Sequence, residues 1–314
     1  MQTAVTADVK KIIRRQTLKK AVRMKEYYLL LLIPVLFIII FRYLPIWGII
    51  IAFKDFSYGL GIIKSPWNNF EHFKTLFRDP FFFRVLRNTI LISVYRIIFG
   101  FPAPIILALL LNEIRSVAYK KTVQTLSYLP HFVSWVVLAG IFTEILSGQR
   151  GPIAYLFTLV GLQPISWLMH KPTFRGLLVV TGIWQSVGWG SIIYLAALSS
   201  IDSGLYESAS IDGANRLQKA IHITVPSLIP IMTILFILRL GGILSAGFEQ
   251  IFNLQNPIVY EVSDVFGTYI YRAGVEERRW DYTTAVGLFQ NLVGVGLIIT
   301  ANTVIKRFSE YAIW

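Results

Sequence analysis

The sequence predicts an all-α, polytopic membrane protein with six transmembrane helices, and three observations lead there. Apolar runs long enough for a bilayer-crossing helix, about 20 residues each, recur between short polar segments. The 314 residues are 55% hydrophobic and only 15% charged, far from the balance of a soluble domain. The net charge of +13 is gathered in an N-terminal head and beside apolar runs, a pattern of membrane topology and not of a nucleic-acid-binding face. Both termini are therefore expected in the cytoplasm. Cysteine is absent, which removes disulfides, thiolate chemistry and Cys-based metal sites and leaves helix packing to hold the fold.

Residues 1–26 read as a basic cytoplasmic segment, with Lys10, Lys11, Arg14, Arg15, Lys19, Lys20, Arg23 and Lys25 against Asp8 and Glu26. Anionic membrane lipid is a natural partner for it. Residues 27–314 form one six-span domain. The first apolar run, Tyr27 to Phe53, is too long for a signal-peptide core and is read as a retained span. Lys54 to Arg84 follows outside. A second span, Val85 to Leu111, is kinked by Gly100, Pro102 and Pro104. Residues 112–125, with Arg115, Lys120 and Lys121, return inside, and Leu126 to Leu146 is the third span. Ser147 to Arg175 is an outer loop, and Gly176 to Ser199 the fourth span. The fifth, Pro226 to Phe248, carries Gly241, Gly242, Ser245 and Ala246, small residues that permit close helix approach. Residues 249–283 form the last outer loop. The sixth span, Thr284 to Ile305, is stopped inside by Lys306 and Arg307. Basic residues in the outer segments, among them Lys74, Arg84 and Arg278, blur the charge rule without reversing it.

Between the fourth and fifth spans, residues 201–225 are polar and amphipathic. Asp202 or Ser203 can cap a short helix, Gly213 supplies a permissive bend, and Asp212 can cap a second helix ending before Pro226. Ala214, Leu217 and Ile221 recur at helical spacing on that second arm, an apolar stripe suited to a groove on a partner.

The residues Glu207-Ser208-Ala209, then Asp212-Gly213-Ala214, then Ile223 and Pro226, resemble the cytoplasmic EAA loop of ATP-binding-cassette importer permeases. Ser208 departs from the motif, and Ala220 stands where sugar permeases often carry Phe. The resemblance implies a MetI-like permease fold in a bacterial cytoplasmic membrane, with this loop as the coupling helix seated in a cleft of an ATPase subunit. It implies as partners a second permease subunit, usually a different chain, two ATPase subunits and an extracytoplasmic solute-binding protein. Gly247 to Val275, Thr283 to Asn291, Asn88-Thr89 and Tyr128 to Val137 are similar to the polysaccharide branch of these permeases. Members of that branch import oligosaccharides, including uronate-containing ones such as alginate; a neutral oligosaccharide or a glycerol-phosphate-type solute is the alternative cargo.

No GxxxxGK[ST] phosphate loop occurs, so ATP and Mg are expected on a separate ATPase chain and this subunit is expected to need no cofactor of its own. Neither HExxH nor GxSxG occurs, and His72, His131, His170 and His222 are dispersed, which argues against an enzyme and against a metal centre. A channel would need pore-lining rings; a membrane-embedded transferase would need convergent carboxylates. What remains is polarity within the spans. A charge inside a span costs at least ~2.5–3.5 kcal/mol, so Arg96 and Arg239 face protein or a watery path. Contact with cargo is one reading; an ion pair with Glu144 or Glu249, or a carbonyl clamp, is the other. Arg42 lies near a span end and can snorkel. Trp184, Trp189 and Tyr194 offer faces for sugar C–H groups, and Gln185, Gln290 and Asn291 offer hydrogen bonds. The tryptophans serve equally as belt anchors, and the amides, with Asn302, as interhelical pins. Arg239, about halfway along the predicted fifth span, is the residue placed to meet a uronate through its planar fork.

Overall fold

The computed structural model describes residue 20 and residues 23–308; the basic residues from Lys10 to Lys19 lie outside the described residues. Among the described residues, five helices are long and apolar enough to cross a membrane, and a bent pair counted as one span makes six.

The first span, Lys25–Phe53, lies on the outside of the bundle. Ala52 alone is buried in it, because its sequence is apolar on every side and has lipid, not protein, to meet. It passes from α-helix through a π turn at Ile39–Tyr43 into a 3-10 stretch as Pro45, lacking an N–H, enters the ladder. Its far end packs on the sixth span. The second span is longer than the hydropathy suggests. Asp79 caps it, its carboxylate accepting from the Phe81 N–H at 2.9 Å, Pro80 occupies the first turn, and helix continues past the Gly100–Pro102 break to Glu113.

The third span is not the straight helix predicted over 126–146. Helix over Val117–Phe132 meets a second helix, Trp135–Ile145, at 104°. Pro130 removes a donor, Val133 is extended, and the Ser134 hydroxyl caps the second piece by accepting from Val137. Residues 112–125, expected as loop, are helical from Val117 onward. The fourth span, Lys171–Ser199, runs against this break and against the second span. At Gly188 a Cβ would stand 2.1 Å from the Ser127 carbonyl oxygen, and at Gly190 one would stand 3.0 Å from Pro104. Two bare backbones are the condition for that contact.

The fifth span also departs from expectation at both ends. The second arm of the elbow does not stop at Pro226; a π turn over Ala220–Thr224 leads into Val225–Gly241, and the helix is continuous from Arg216. Pro226 falls in the first turn of the α-helical stretch, where its missing N–H is least felt, and the π turn takes up the extra room its ring needs. At the other end the helix terminates at Gly241, not Phe248. Ala246 and Gly247 take positive φ of 40° and 72°. Of the predicted small-residue stripe, Gly241 makes the close approach, its absent Cβ lying 2.4 Å from Ile298 of the sixth span, while Ser245 and Ala246 fall in the break.

Residues 249–283, expected as an outer loop, form short helices at Phe248–Leu254, Tyr260–Ser263 and Phe266–Ile270 before the sixth span, Trp280–Phe308. They are core. Ile251, Val259, Val265 and Phe266 are fully buried and pack with Phe82 and Val85 of the second span and with Phe174 and Leu178 of the fourth. Buried polar groups of this segment are satisfied across the bundle, as burial requires. Asn88 donates to the Glu261 and Asp264 carbonyls at 3.1 Å, Arg175 donates to Asn88 Oδ1 at 2.8 Å and to the Val262 carbonyl at 3.0 Å, and Thr89 accepts from the Phe266 N–H. At its exposed rim, the hydrogen bond and charge of Lys171, 2.6 Å away, hold the Glu261 carboxyl below its ordinary range.

Candidate functional site

Two sites emerge, one within the bundle and one at the elbow. The first is a cavity of about 420 Å³ walled by the second and fourth spans, Trp135 and the turn at 247–250. Arg96 and Arg239 both line it, and a smaller recess of about 120 Å³ beside Gly242 is lined by both as well. Arg96 crosses the space left by Gly247, where any Cβ would stand 2.0 Å from its guanidinium, and donates to Gln250 Oε1. Gln250 is itself locked, its amide nitrogen donating to the Leu178 carbonyl and to Thr181 Oγ1, each at 2.7 Å. Arg96 is thus aimed by a fixed acceptor. Arg239 lies beside Gly100 and makes no hydrogen bond or ion pair among the described residues. It sits in the last turn of its helix and not halfway along a span, because the helix ends two residues later. There the negative end of the helix dipole favours a cation. Neither arginine forms an ion pair with Glu144 or Glu249 among the described residues, although Glu249 also lines the cavity.

Of the residues expected on a substrate path, Gln185 and Arg239 reach this cavity. Gln185 also donates to the His131 carbonyl at 3.4 Å, in the break of the third span. Trp184 and Trp189 are about half exposed on other faces, Trp184 edge-on to Phe142 and Trp189 stacked on His131 at 4.7 Å. Tyr194 is buried in the core between the second, fourth and fifth spans. Gln290 pins the sixth span to the helix break, donating to the Leu244 carbonyl at 2.9 Å, and Asn291 is exposed. Neither Gln250, expected in an outer loop, nor Gly247, expected inside the fifth span, was anticipated at a cavity. The run Gly247-Phe248-Glu249-Gln250, a polar pair after a glycine at the end of a long apolar run, is the signal that marks them.

The second site is the elbow. Asp202 caps its first arm, Ser203–Ile211, by accepting from the Gly204 N–H at 2.9 Å. Gly213 takes φ 77°. The second arm is capped not by Asp212 but by Asn215, in a capping box with Gln218 at 2.9 and 2.8 Å. Asp212 follows the first helix directly, so its backbone closes that helix, and the extended residue a cap requires comes three positions on. Glu207, Ser208 and Asp212 are exposed; Ala209 and Ala214 lie half-buried at the inner corner, the Ala214 N–H donating to the Ala209 carbonyl at 2.9 Å. Leu217 is 68% exposed, Ile221 52% and Ile211 88%, a projecting apolar ridge with no cover. Lys219 donates to Ser210 Oγ at 2.6 Å, joining the arms.

A long-spanned helical bundle with a polar cavity and a rigid, apolar-tipped elbow now has known counterparts. Residues 100–311 match the family described as binding-protein-dependent transport system inner membrane component. The chain belongs to that family. This permease is 44% identical over 288 residues to protein LplB of Bacillus subtilis, covering 92% of this chain and 91% of the relative. It is 41% identical over 305 residues to the polygalacturonan/rhamnogalacturonan transport system permease protein YteP of the same organism, covering 97% and 95%. Among solved structures, the permease matches a chain of a bacterial ABC transporter involved in import of the acidic polysaccharide alginate. The TM-score is 0.87 at 40% identity, over 94% of this chain and 100% of the other. A bacterial alginate ABC transporter in complex with its alginate pentasaccharide-bound periplasmic protein matches with TM-score 0.86 at 39% identity, over 94% and 99%. The resemblance read from the elbow residues and the predicted MetI-like fold are borne out.

Proposed function

We propose that this permease is one of two membrane subunits of an ATP-driven, binding-protein-dependent importer in a bacterial cytoplasmic membrane, and that its cargo is an oligosaccharide bearing carboxylates. The observation that carries the cargo is the pair Arg96 and Arg239, two guanidinium groups on one cavity with no acidic partner among the described residues. Unneutralised cations inside a membrane protein are costly, and a carboxylate cargo supplies the missing charge. The helix break at 242–247 lines the same space, the arrangement in which backbone leaves the helix only where it borders a path. The relatives that move polygalacturonan and alginate support the reading.

ATP and Mg belong on two separate ATPase chains, one of them docked on the ridge of Leu217, Ile221 and Ile211 with Glu207, Ser208 and Asp212 at its rim. Closure of the ATPase pair moves the elbow, and the elbow moves the fourth and fifth spans, which continue from its two arms. An extracytoplasmic binding protein delivers the cargo on the opposite face. Both termini lie in the cytoplasm in this arrangement.

The test is ATPase stimulation of the reconstituted assembly by loaded binding protein, with uronate oligomers beside carboxyl-reduced ones. A charge-assisted hydrogen bond contributes about 1.5–3 kcal/mol, so Arg239→Gln and Arg96→Gln each raise half-saturation for the charged oligomer roughly 10- to 100-fold. The neutral oligomer is unaffected. Equal response to both oligomers in wild type and variants defeats the acidic-cargo reading and leaves the permease assignment in place.

A further inference from the structure

Away from the transport path, four potential ligand atoms from three parts of the chain converge. The first span ends at Lys54 and Asp55, His72 lies on the short helix Glu71–Arg78, and Asp281 stands in the first turn of the sixth span. His72 Nε2 lies 3.0 Å from the Lys54 carbonyl oxygen, 3.4 Å from Asp281 Oδ2 and 3.9 Å from Asp55 Oδ1. The three side-chain ligand atoms lie within 4.8 Å of one another. Ligands about 2.1 Å from a tetrahedral ion are about 3.4 Å apart, and the separations around His72 Nε2, 3.0, 3.4 and 3.9 Å, fall about that value.

We propose that Lys54 O, Asp55, His72 and Asp281 form a site for a divalent cation of the zinc or manganese class, which clamps the first span to the sixth. Two carboxylates, a carbonyl and one imidazole are the mixed hard and borderline donors those ions take. The charge calls for it. Lys54, the cation nearest in sequence, is 4% exposed and turned away, its ammonium donating to the carbonyls of Ile62 and Ile63 at 2.9 and 2.7 Å. Apart from His72, neither Asp55 nor Asp281 has a basic partner among the described residues.

The surroundings are built for a fixed ligand. Asp281 is oriented by the N–H groups of Phe56 and Tyr282 at 3.2 and 2.8 Å, the supporting shell that holds a ligating carboxylate. His72 and Asp281 are largely buried, whereas the Asp55 side chain is 64% exposed, which leaves an entry side. A second observation is independent of the cluster. Asn68, on the non-helical connection that leads into the His72 helix and with its N–H on the Phe53 carbonyl, is 8% exposed, and neither atom of its carboxamide has a partner among the described residues. Buried amides are normally satisfied, and the polypeptide supplies this one with no partner. With six spans the site lies on the face opposite the elbow. It fastens the span that otherwise has the least contact with the bundle.

The experiment uses the purified full assembly, stripped with chelator and equilibrated with Zn²⁺, with bound metal counted per copy of this chain. Co²⁺ replaces Zn²⁺ in a parallel sample so that the visible spectrum reports nitrogen and oxygen ligation. Wild type is expected to hold one ion more per copy than His72→Gln or Asp281→Asn. The exposed-residue variant Asp55→Asn, which disturbs packing least, is expected to bind at least tenfold more weakly. Zn²⁺ is also expected to raise the melting temperature of wild type and not of His72→Gln. Equal affinity for the metal in wild type and Asp55→Asn overturns the proposal, as does wild type holding no additional ion. A melting temperature that follows pH through the imidazole range with no metal bound overturns it in favour of a protonated His72 contact.

Discussion

Tyr206 Oη and Thr224 Oγ1 lie 3.0 Å apart, and this hydrogen bond ties the first arm of the elbow to the root of the fifth span. Thr224 is buried and also donates to the Lys219 carbonyl at 3.3 Å, so the contact lands on the π turn through which the second arm becomes a membrane helix. Under the proposed coupling, a push on the ridge reaches the fifth span by two routes, along the continuous helix and across this bond. Tyr206→Phe keeps the ring and removes the bond, which costs about 0.5–1.5 kcal/mol. Sugar transported per ATP hydrolysed is expected to fall several-fold while the assembly forms normally. An unchanged ratio means the helix alone transmits the motion.

Gly213 faces open space, so a side chain there meets no neighbour, yet its φ of 77° is the left-handed region. Gly213→Val is expected to distort the elbow at a cost of about 1–2 kcal/mol and to uncouple ATPase stimulation from transport. Gly213→Asn is expected to retain most activity, since asparagine visits that region at low cost. The pair separates backbone conformation from bulk.

Leu217 and Ile221 project from the elbow with no cover. Leu217→Asp places a charge where the proposed ATPase groove closes over apolar surface, and loss of one buried leucine contact amounts to about 1.5–3 kcal/mol. Co-purification of the ATPase chains is expected to drop tenfold or more, with the chain still inserted and folded. Full retention of the ATPase would move the docking site elsewhere.

Gly188→Ala forces a Cβ to 2.1 Å from the Ser127 carbonyl oxygen, a backbone atom that cannot swing aside. Overpacking of this kind costs about 1–3 kcal/mol, and the detergent-solubilised assembly is expected to melt several degrees lower. Gly176→Ala, on the same helix with open space at its Cβ, is the control and is expected to be neutral.

Much of this fold was legible in the sequence because a bilayer imposes one simple rule: a spanning helix must be long and apolar. The first, second, fourth and sixth spans follow from it to within a few residues. The elbow was legible for a different reason: Asp202, Gly213 and the Leu217–Ile221 stripe carry local conformational and packing signals that need no distant partner. Even there, the sequence allowed Asp212 as the second cap where the backbone uses Asn215, because capping depends on which residue leaves the helix extended.

The apolar pattern by itself therefore determined that this chain crosses the membrane as helices and carries an amphipathic elbow between its fourth and fifth spans. Tertiary structure decided that the short helices between 248 and 270 are core and not loop, that the third span breaks at Val133, and that the fifth stops at Gly241. Those outcomes depend on contacts between residues far apart in the chain: Asn88 with the Glu261 and Asp264 carbonyls, Gly188 with Ser127, Arg96 with Gln250. Each is a polar or steric complementarity that hydropathy does not register, since a carbonyl satisfied across the bundle and one satisfied by water have the same sequence. The same physics made Arg239 a cavity residue and left Trp184 and Trp189 outside that cavity.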